Sequence, residues 1–154
     1  MKPNYVTIPL ITILVALLGS FFTFLGLEAW YGGLVLPVWT PSGTLIGVVW
    51  TILYVLAAIS VLIVWNKLLH DNRFMIIIAL FLANAFLNVF WSYLFFSVHF
   101  LGSTIFVSGF LALTVVVLII LIWSKNRYAA YLLLPYAAWV IFATYLNYVI
   151  WLMN

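Results

Sequence analysis

The run "FMIIIALFLANAFLNVFWSYLFFSVHFLGSTIFVSGFLALTVVVLIILIWS", residues 74–124, holds 51 residues and not one Lys, Arg, Asp or Glu. A helix crosses the hydrocarbon of a bilayer in about 20 apolar residues, so this run is long enough for two crossings and must fold back once. The central "SVHFLGS" (97–103) supplies the polar residues and the glycine that a turn calls for. Helices over about 74–98 and 103–123 follow.

The neighbouring runs obey the same arithmetic. Only 5% of the 154 residues are charged and 69% are hydrophobic, against about a quarter charged in a soluble domain. Uncharged stretches at 3–27, 29–66 and 128–154 each hold one further span, predicted at about 6–26, 42–65 and 128–151. The chain therefore reads as an all-α integral membrane protein, a single domain over 1–154 with five transmembrane helices and a loop at 27–41. Lys2 precedes an apolar run, but that run exceeds the 7–15 residues of a signal-peptide core and "GLEAW" is a poor cleavage site, so it is kept as the first span.

With five spans, Lys2, Lys67, Arg73, Lys125 and Arg127 all fall on one face of the membrane and no cation falls on the other. The positive-inside rule then predicts a cytoplasmic N-terminus, with the 27–41 loop, the 97–103 turn and the C-terminus outside. These charges are read as serving topology and lipid headgroup contact. No Cys is present, which excludes disulfides, thiolate metal sites and thiol nucleophiles. His70 and His99 lie on opposite faces, so no metal is expected. There is no Ser/His/acid set, no phosphate-cradling glycine loop and no basic face for nucleic acid. No span carries an ionisable group at mid-depth, which argues against a proton relay or voltage sensor. The odd helix count, with no detectable halves, argues against an inverted-repeat transporter.

Asn, Trp and Tyr stand in the spans instead. Asn84, Asn88, Trp91 and Phe95 recur at steps of four, three and four and share one helical face. Gly43, Gly47, Trp50 and Tyr54 form a second stripe, and Trp139, Ala143, Leu146 or Asn147, and Ile150 a third. Trp50, Trp91 and Trp139 all fall roughly 10 to 18 Å below the same membrane surface at 1.5 Å per residue. If the stripes converge, they line one aromatic cavity. Trp65, Trp123 and Trp151 sit at span ends and are assigned to the interfacial aromatic belt. Asn84 reads as helix-to-helix glue. Ala79 and Ala83 form a small-xxx-small pair suited to close packing of the third helix, in this chain or against a second copy.

The loop "WYGGLVLPVWTP" (30–41) carries rings where a water-exposed loop carries charge. It is expected to fold into the mouth of the bundle as a lid, with Gly32 and Gly33 permitting the turn, Pro37 and Pro41 stiffening it, and Pro41 in the first turn of the second helix.

Three stretches, "WYGGLVLPVWTPSGTLIGVVWTILY" (30–54), "NAFLNVFWSYLFF" (84–96) and "PYAAWVIFATYLNYVIWLMN" (135–154), resemble the TspO/MBR proteins, the bacterial tryptophan-rich sensory proteins and the mitochondrial translocator or peripheral benzodiazepine receptor. The resemblance implies a five-helix bundle, often dimeric, with a cavity beneath the loop joining helices 1 and 2. It implies binding of porphyrins such as protoporphyrin IX, and of isoquinoline carboxamide or benzodiazepine drugs. No cofactor is required, the porphyrin being ligand or substrate. On this chain the lid falls on Trp30, Tyr31, Trp39 and Pro41. The walls fall on Trp50 and Tyr54, on Asn88, Trp91, Ser92 and Phe95, and on Trp139, Phe142, Ala143, Leu146 and Asn147. Light-dependent porphyrin breakdown, known in some bacterial members, would fall to Trp50 and Trp139. Porphyrin or sterol transport is a further alternative. Three departures stand out. Pro41 is followed by Ser42 where many relatives read Pro-Pro. Tyr148 is followed by "VIWLMN", without the cation of the animal sterol motif, so cholesterol binding is not expected. Phe95 replaces a polar residue found in some relatives.

Overall fold

A computed structural model describes residues 2–154 of the chain. Five helical segments are long and apolar enough to cross a membrane, Asn4–Leu27, Gly43–Lys67, Asn72–Val98, Leu101–Trp123 and Arg127–Met153, and no strand occurs among the described residues. They comprise α1 (Asn4–Leu27), α2 (Gly43–Lys67), α3 (Asn72–Tyr93), α4 (Leu101–Trp123), α5 (Arg127–Tyr131) and α6 (Leu134–Met153), with a π-helical turn over Leu94–Val98 at the end of α3. Large apolar side chains such as Leu17, Phe24, Phe106 and Ile120 point outward, as they must when the surroundings are hydrocarbon.

Capping explains where the helices start. The Ser42 hydroxyl accepts from the Leu45 N–H at 3.3 Å, so α2 begins at Gly43 and Pro41 lies one residue before the cap, not in the first turn. The fifth span is broken at Leu132 and Leu133. Pro135, in the first turn of α6, has no N–H to continue the ladder from α5, and the ladder resumes when Ala137 N donates to Leu133 O at 3.0 Å.

The turn between the third and fourth spans falls within 97–103, but its glycine does not make it. The chain reverses at His99, the one non-glycine residue with positive φ (64°) among those described, after the π turn has widened the end of α3. Gly102 is already inside α4, where a Cβ would stand 3.4 Å from the Trp151 indole nitrogen, so its small size serves helix packing. Gly26 serves the same end more sharply: a Cβ there would collide with the Phe96 carbonyl, so α1 can lie against the π turn only if residue 26 has no side chain.

Going round the bundle, α2 packs on α1, α1 on α3, α3 on α4, and α4 on α6. The ring closes poorly between α2 and α6. At the cation-bearing end α2 is held to α5, where the Ser60 hydroxyl donates to the Ala129 carbonyl at 2.8 Å, and beyond it α2 packs little against α6. The buried aliphatic core follows the same asymmetry. Val64, Ile77, Val115, Leu118, Ile122, Ala129 and Leu133 fill the cation-bearing half. The opposite half is packed largely by rings.

Candidate functional site

Midway between the halves a polar network ties three helices. The Asn84 amide donates to the Thr114 hydroxyl at 2.8 Å, the Tyr136 hydroxyl donates to Asn84 Oδ1 at 2.7 Å, and the Asn88 amide donates to the Asn84 carbonyl at 3.1 Å and to the Tyr136 oxygen. In an apolar medium each of these groups would be costly if left alone. The Asn88 amide is therefore engaged between α3 and α6, and not presented as a free wall of a cavity. Asn147 is placed likewise: it is buried and exchanges hydrogen bonds with the Thr104 hydroxyl of α4 at 3.0 and 3.2 Å. Sequence periodicity put both asparagines on the right faces but did not reveal the partners. Tyr136, the hub of the network, was not singled out at all, although its place one turn before Trp139 is the mark of a shared inner face.

Above the network the rings form three groups. On α3, Trp91 stacks on Phe95 at 4.9 Å, Trp30 meets Phe95 edge-on at 5.1 Å, and Trp30 stacks on His99 at 4.4 Å with planes 14° apart. Tyr31 leans on Phe96 at 5.8 Å, and burial pushes its hydroxyl above the ordinary phenol value, so it stays a neutral donor. On α6, Trp39 stacks on Tyr145 at 5.8 Å and meets Phe142 at 6.0 Å, with Trp139 against Phe142 at 5.4 Å. On α2, Trp50 lies 5.6 Å from Tyr54 and meets Tyr136 edge-on at 5.9 Å.

The loop thus spans the mouth of the bundle, Trp30 and Tyr31 seated on the α3 end and Trp39 on α6. Val35, between them, is held by Asn154, whose Oδ1 accepts from Val35 N at 2.9 Å and whose Nδ2 donates to Val35 O at 3.0 Å. A short 3₁₀ turn, Tyr31–Gly33, makes the first bend. Neither glycine in it adopts positive φ, and a Cβ on Gly33 would meet nothing within 4 Å, so the turn does not draw on glycine's left-handed freedom.

Beneath Pro41 lies a groove of about 440 Å³ where α2 and α6 diverge. Val49, Ile52 and Leu53 line one side, and Pro135, Ala138, Trp139 and Phe142 the other. Its outer side is open, with Ile52, Pro135 and Ala138 exposed where lipid would lie. Of the three mid-depth tryptophans only Trp139 lines it. Trp50 points to Tyr136 on the adjacent α2 face and Trp91 belongs to the α3 group, so the three indoles do not meet. Ser92 and Tyr54 both turn toward Gly19 of α1, the Ser92 hydroxyl 3.6 Å and the Tyr54 hydroxyl 4.0 Å from where a Cβ would stand. Leu146 is buried and Ala143 half-buried on α6. The indole nitrogens of Trp91 and Trp139 are buried and donate to no protein acceptor.

Five apolar spans, a ring-bearing loop folded over one end and an apolar groove below it define a multi-pass integral membrane protein. Residues 7–152 match the model of the TspO/MBR family, and the chain belongs to that family. It is 37% identical over 137 residues to the tryptophan-rich protein TspO of Archaeoglobus fulgidus, covering 88% of this chain and 87% of that one. It is 31% identical over 126 residues to the protein CrtK of Rhodobacter capsulatus, covering 82% and 79%. Likeness to the human translocator protein is 34% over 131 residues, covering 81% and 75%.

Proposed function

We propose that this protein is a membrane receptor for planar apolar ligands, tetrapyrroles such as protoporphyrin IX foremost, with isoquinoline carboxamide and benzodiazepine drugs as further occupants. The observation that carries the reading is the α2–α6 groove itself, an apolar recess of about 440 Å³ walled by Trp139 and Phe142 on one side and by aliphatic side chains on the other. A flat apolar ligand seated there gains dispersion against rings and aliphatic carbons together. The face of the bundle that carries the loop offers no Lys or Arg, so the propionates of a porphyrin point past the loop toward water. By the positive-inside rule that face is outside. Titrating the purified protein with protoporphyrin while following Trp fluorescence tests the reading, and quenching that never saturates would sink it.

A second reading is light-driven breakdown of the bound porphyrin. An excited porphyrin exchanges an electron with an indole in contact and sensitises oxygen, and Trp139 is the indole on the groove wall. Bleaching of the Soret band under illumination that is unchanged in Trp139→Phe, with binding intact, would remove it. Ala79 and Ala83 face outward from α3, unpacked within the chain, which supports a homodimer through that helix.

A further inference from the structure

Away from the aromatic half, the opposite membrane face carries a smaller recess of about 160 Å³ between the α2–α3 turn and the end of α4. Lys67, Arg73 and Lys125 stand around it with Asp71, and Leu69 and Phe74 complete the lining. Three cations face one carboxylate, and that carboxylate is in use, since Asp71 Oδ1 accepts from the Phe74 N–H at 2.8 Å. Arg73 is held in place by one terminal nitrogen, which donates to the Leu121 carbonyl and the Ser124 hydroxyl, both at 2.9 Å. Its Nε–H is buried and donates to no protein group. The guanidinium is therefore preset from the α4 side, and two lysines flank it.

We infer that this recess is a binding site for the phosphate of an anionic phospholipid. The net positive lining, with a guanidinium fixed in place between two lysines, fits a phosphodiester group. The mixed lining selects lipid over free phosphate: Leu69 is 82% exposed beside the cations, and Trp65 and Trp123 mark the interfacial layer on the adjoining helix ends. A headgroup seated here leaves its acyl chains in the hydrocarbon beside helices whose apolar side chains already face outward. Basic recesses between transmembrane helices hold lipid headgroups in this manner. The site bridges two turns that are far apart in sequence, so its occupant also staples the closed end of the bundle.

The test uses the full chain, stripped of lipid in neutral detergent, with lipid adducts counted by native mass spectrometry. Phosphatidylglycerol, phosphatidylcholine and inorganic phosphate form the three arms. Phosphatidylglycerol binds at least about fivefold more tightly than phosphatidylcholine, and Lys67→Gln and Lys125→Gln each remove about fivefold of that affinity, the worth of one cation beside an anionic lipid. Both lysines are exposed, so neither change disturbs packing. Arg127→Gln removes a cation from the same face but outside the recess and changes the affinity by less than about twofold. Equal binding of the two lipids overturns the inference. So does an Arg127→Gln loss as large as that of Lys67→Gln, which would mean diffuse attraction. Displacement of phosphatidylglycerol by millimolar inorganic phosphate overturns the lipid as occupant.

Discussion

The side-chain amide of Asn154 is paired with both backbone polar groups of Val35, across 119 residues of sequence, while its Nδ2 also donates to the Ile150 carbonyl at 2.8 Å. No other amino-acid side chain except glutamine offers a donor and an acceptor side by side, so the contact is chemically demanding. Asn154→Ala removes two loop hydrogen bonds, each worth about 1 kcal/mol. Amide hydrogen exchange over residues 34–40 accelerates by roughly tenfold as a result, with exchange in α3 and α4 unchanged. Unaltered protection of the loop would show that the ring stacks alone hold it.

Trp139→Phe keeps a ring on the groove wall and deletes a buried donor that has no protein partner. Thermal stability is expected to stay level or rise, because an uncompensated polar group is lost. Protoporphyrin affinity is expected to change by less than about threefold, since a ring stays on the groove wall and the buried N–H is out of a guest's reach. A clear loss of stability would contradict the reading of this N–H as unsatisfied.

Tyr136→Phe strips the Asn84–Asn88 pair of its shared hydroxyl. The expected cost is about 1 to 2 kcal/mol, within the range for polar contacts between membrane helices. Tyr136→Phe and Asn84→Ala together cost less than the sum of the two, since each breaks the same network. Reversible unfolding in detergent of the two single variants and the double variant measures the coupling, and strict additivity would break the network apart.

Gly26→Ala forces either α1 or the π turn to move, because the Phe96 carbonyl occupies the place of the new methyl. Overpacking of this kind costs about 1 to 3 kcal/mol. Gly33→Ala meets open space at negative φ and is neutral or stabilising by up to about 1 kcal/mol. Thermal midpoints of the two variants, taken side by side, decide whether the loop or the helix contact is the sensitive glycine.

Asp71 caps α3, and the Phe74 N–H it accepts from, helped by the positive charge of Lys125, holds its carboxyl below the ordinary Asp value, which is about 3.9. A depressed folded-state value contributes stability above the unfolded value and loses it as pH falls through the folded one. Asp71→Asn keeps a capping oxygen without the charge. The thermal midpoint of the native chain therefore exceeds that of Asp71→Asn at neutral pH, and the gap begins to narrow as pH is taken below about 4 and goes on narrowing with further acid. A gap that stays constant as the pH is lowered below that point would assign the difference to the cap geometry.

Charge spacing made the architecture legible. The uncharged runs 3–27, 29–66, 74–124 and 128–154 are each long enough for one or two bilayer crossings, and lipid leaves a chain so apolar no other way to satisfy its backbone. Helical periodicity likewise brought Trp91 and Phe95 onto one face. It says which way a side chain points from its own axis, but not how far apart two axes stand. The divergence of α2 from α6, and with it the separation of Trp50 from Trp139, depends on Ser60 reaching Ala129 and on the break before Pro135, both matters of tertiary packing. The reversal itself falls inside the expected 97–103 turn, but the π turn before it was hidden for a related reason: it changes the residue count of a helix without any residue type that announces it.

The sideways opening of the groove, through exposed Ile52, Pro135 and Ala138, decides what "concentration" means for this protein. A guest entering by that route is first a solute of the bilayer, so its occupancy is governed by its mole fraction among the lipids and not by its molarity in the buffer. Added lipid dilutes it even when nothing else changes. Binding curves recorded at several lipid-to-protein ratios should therefore disagree when drawn against total ligand, and fall on one another when drawn against ligand per lipid.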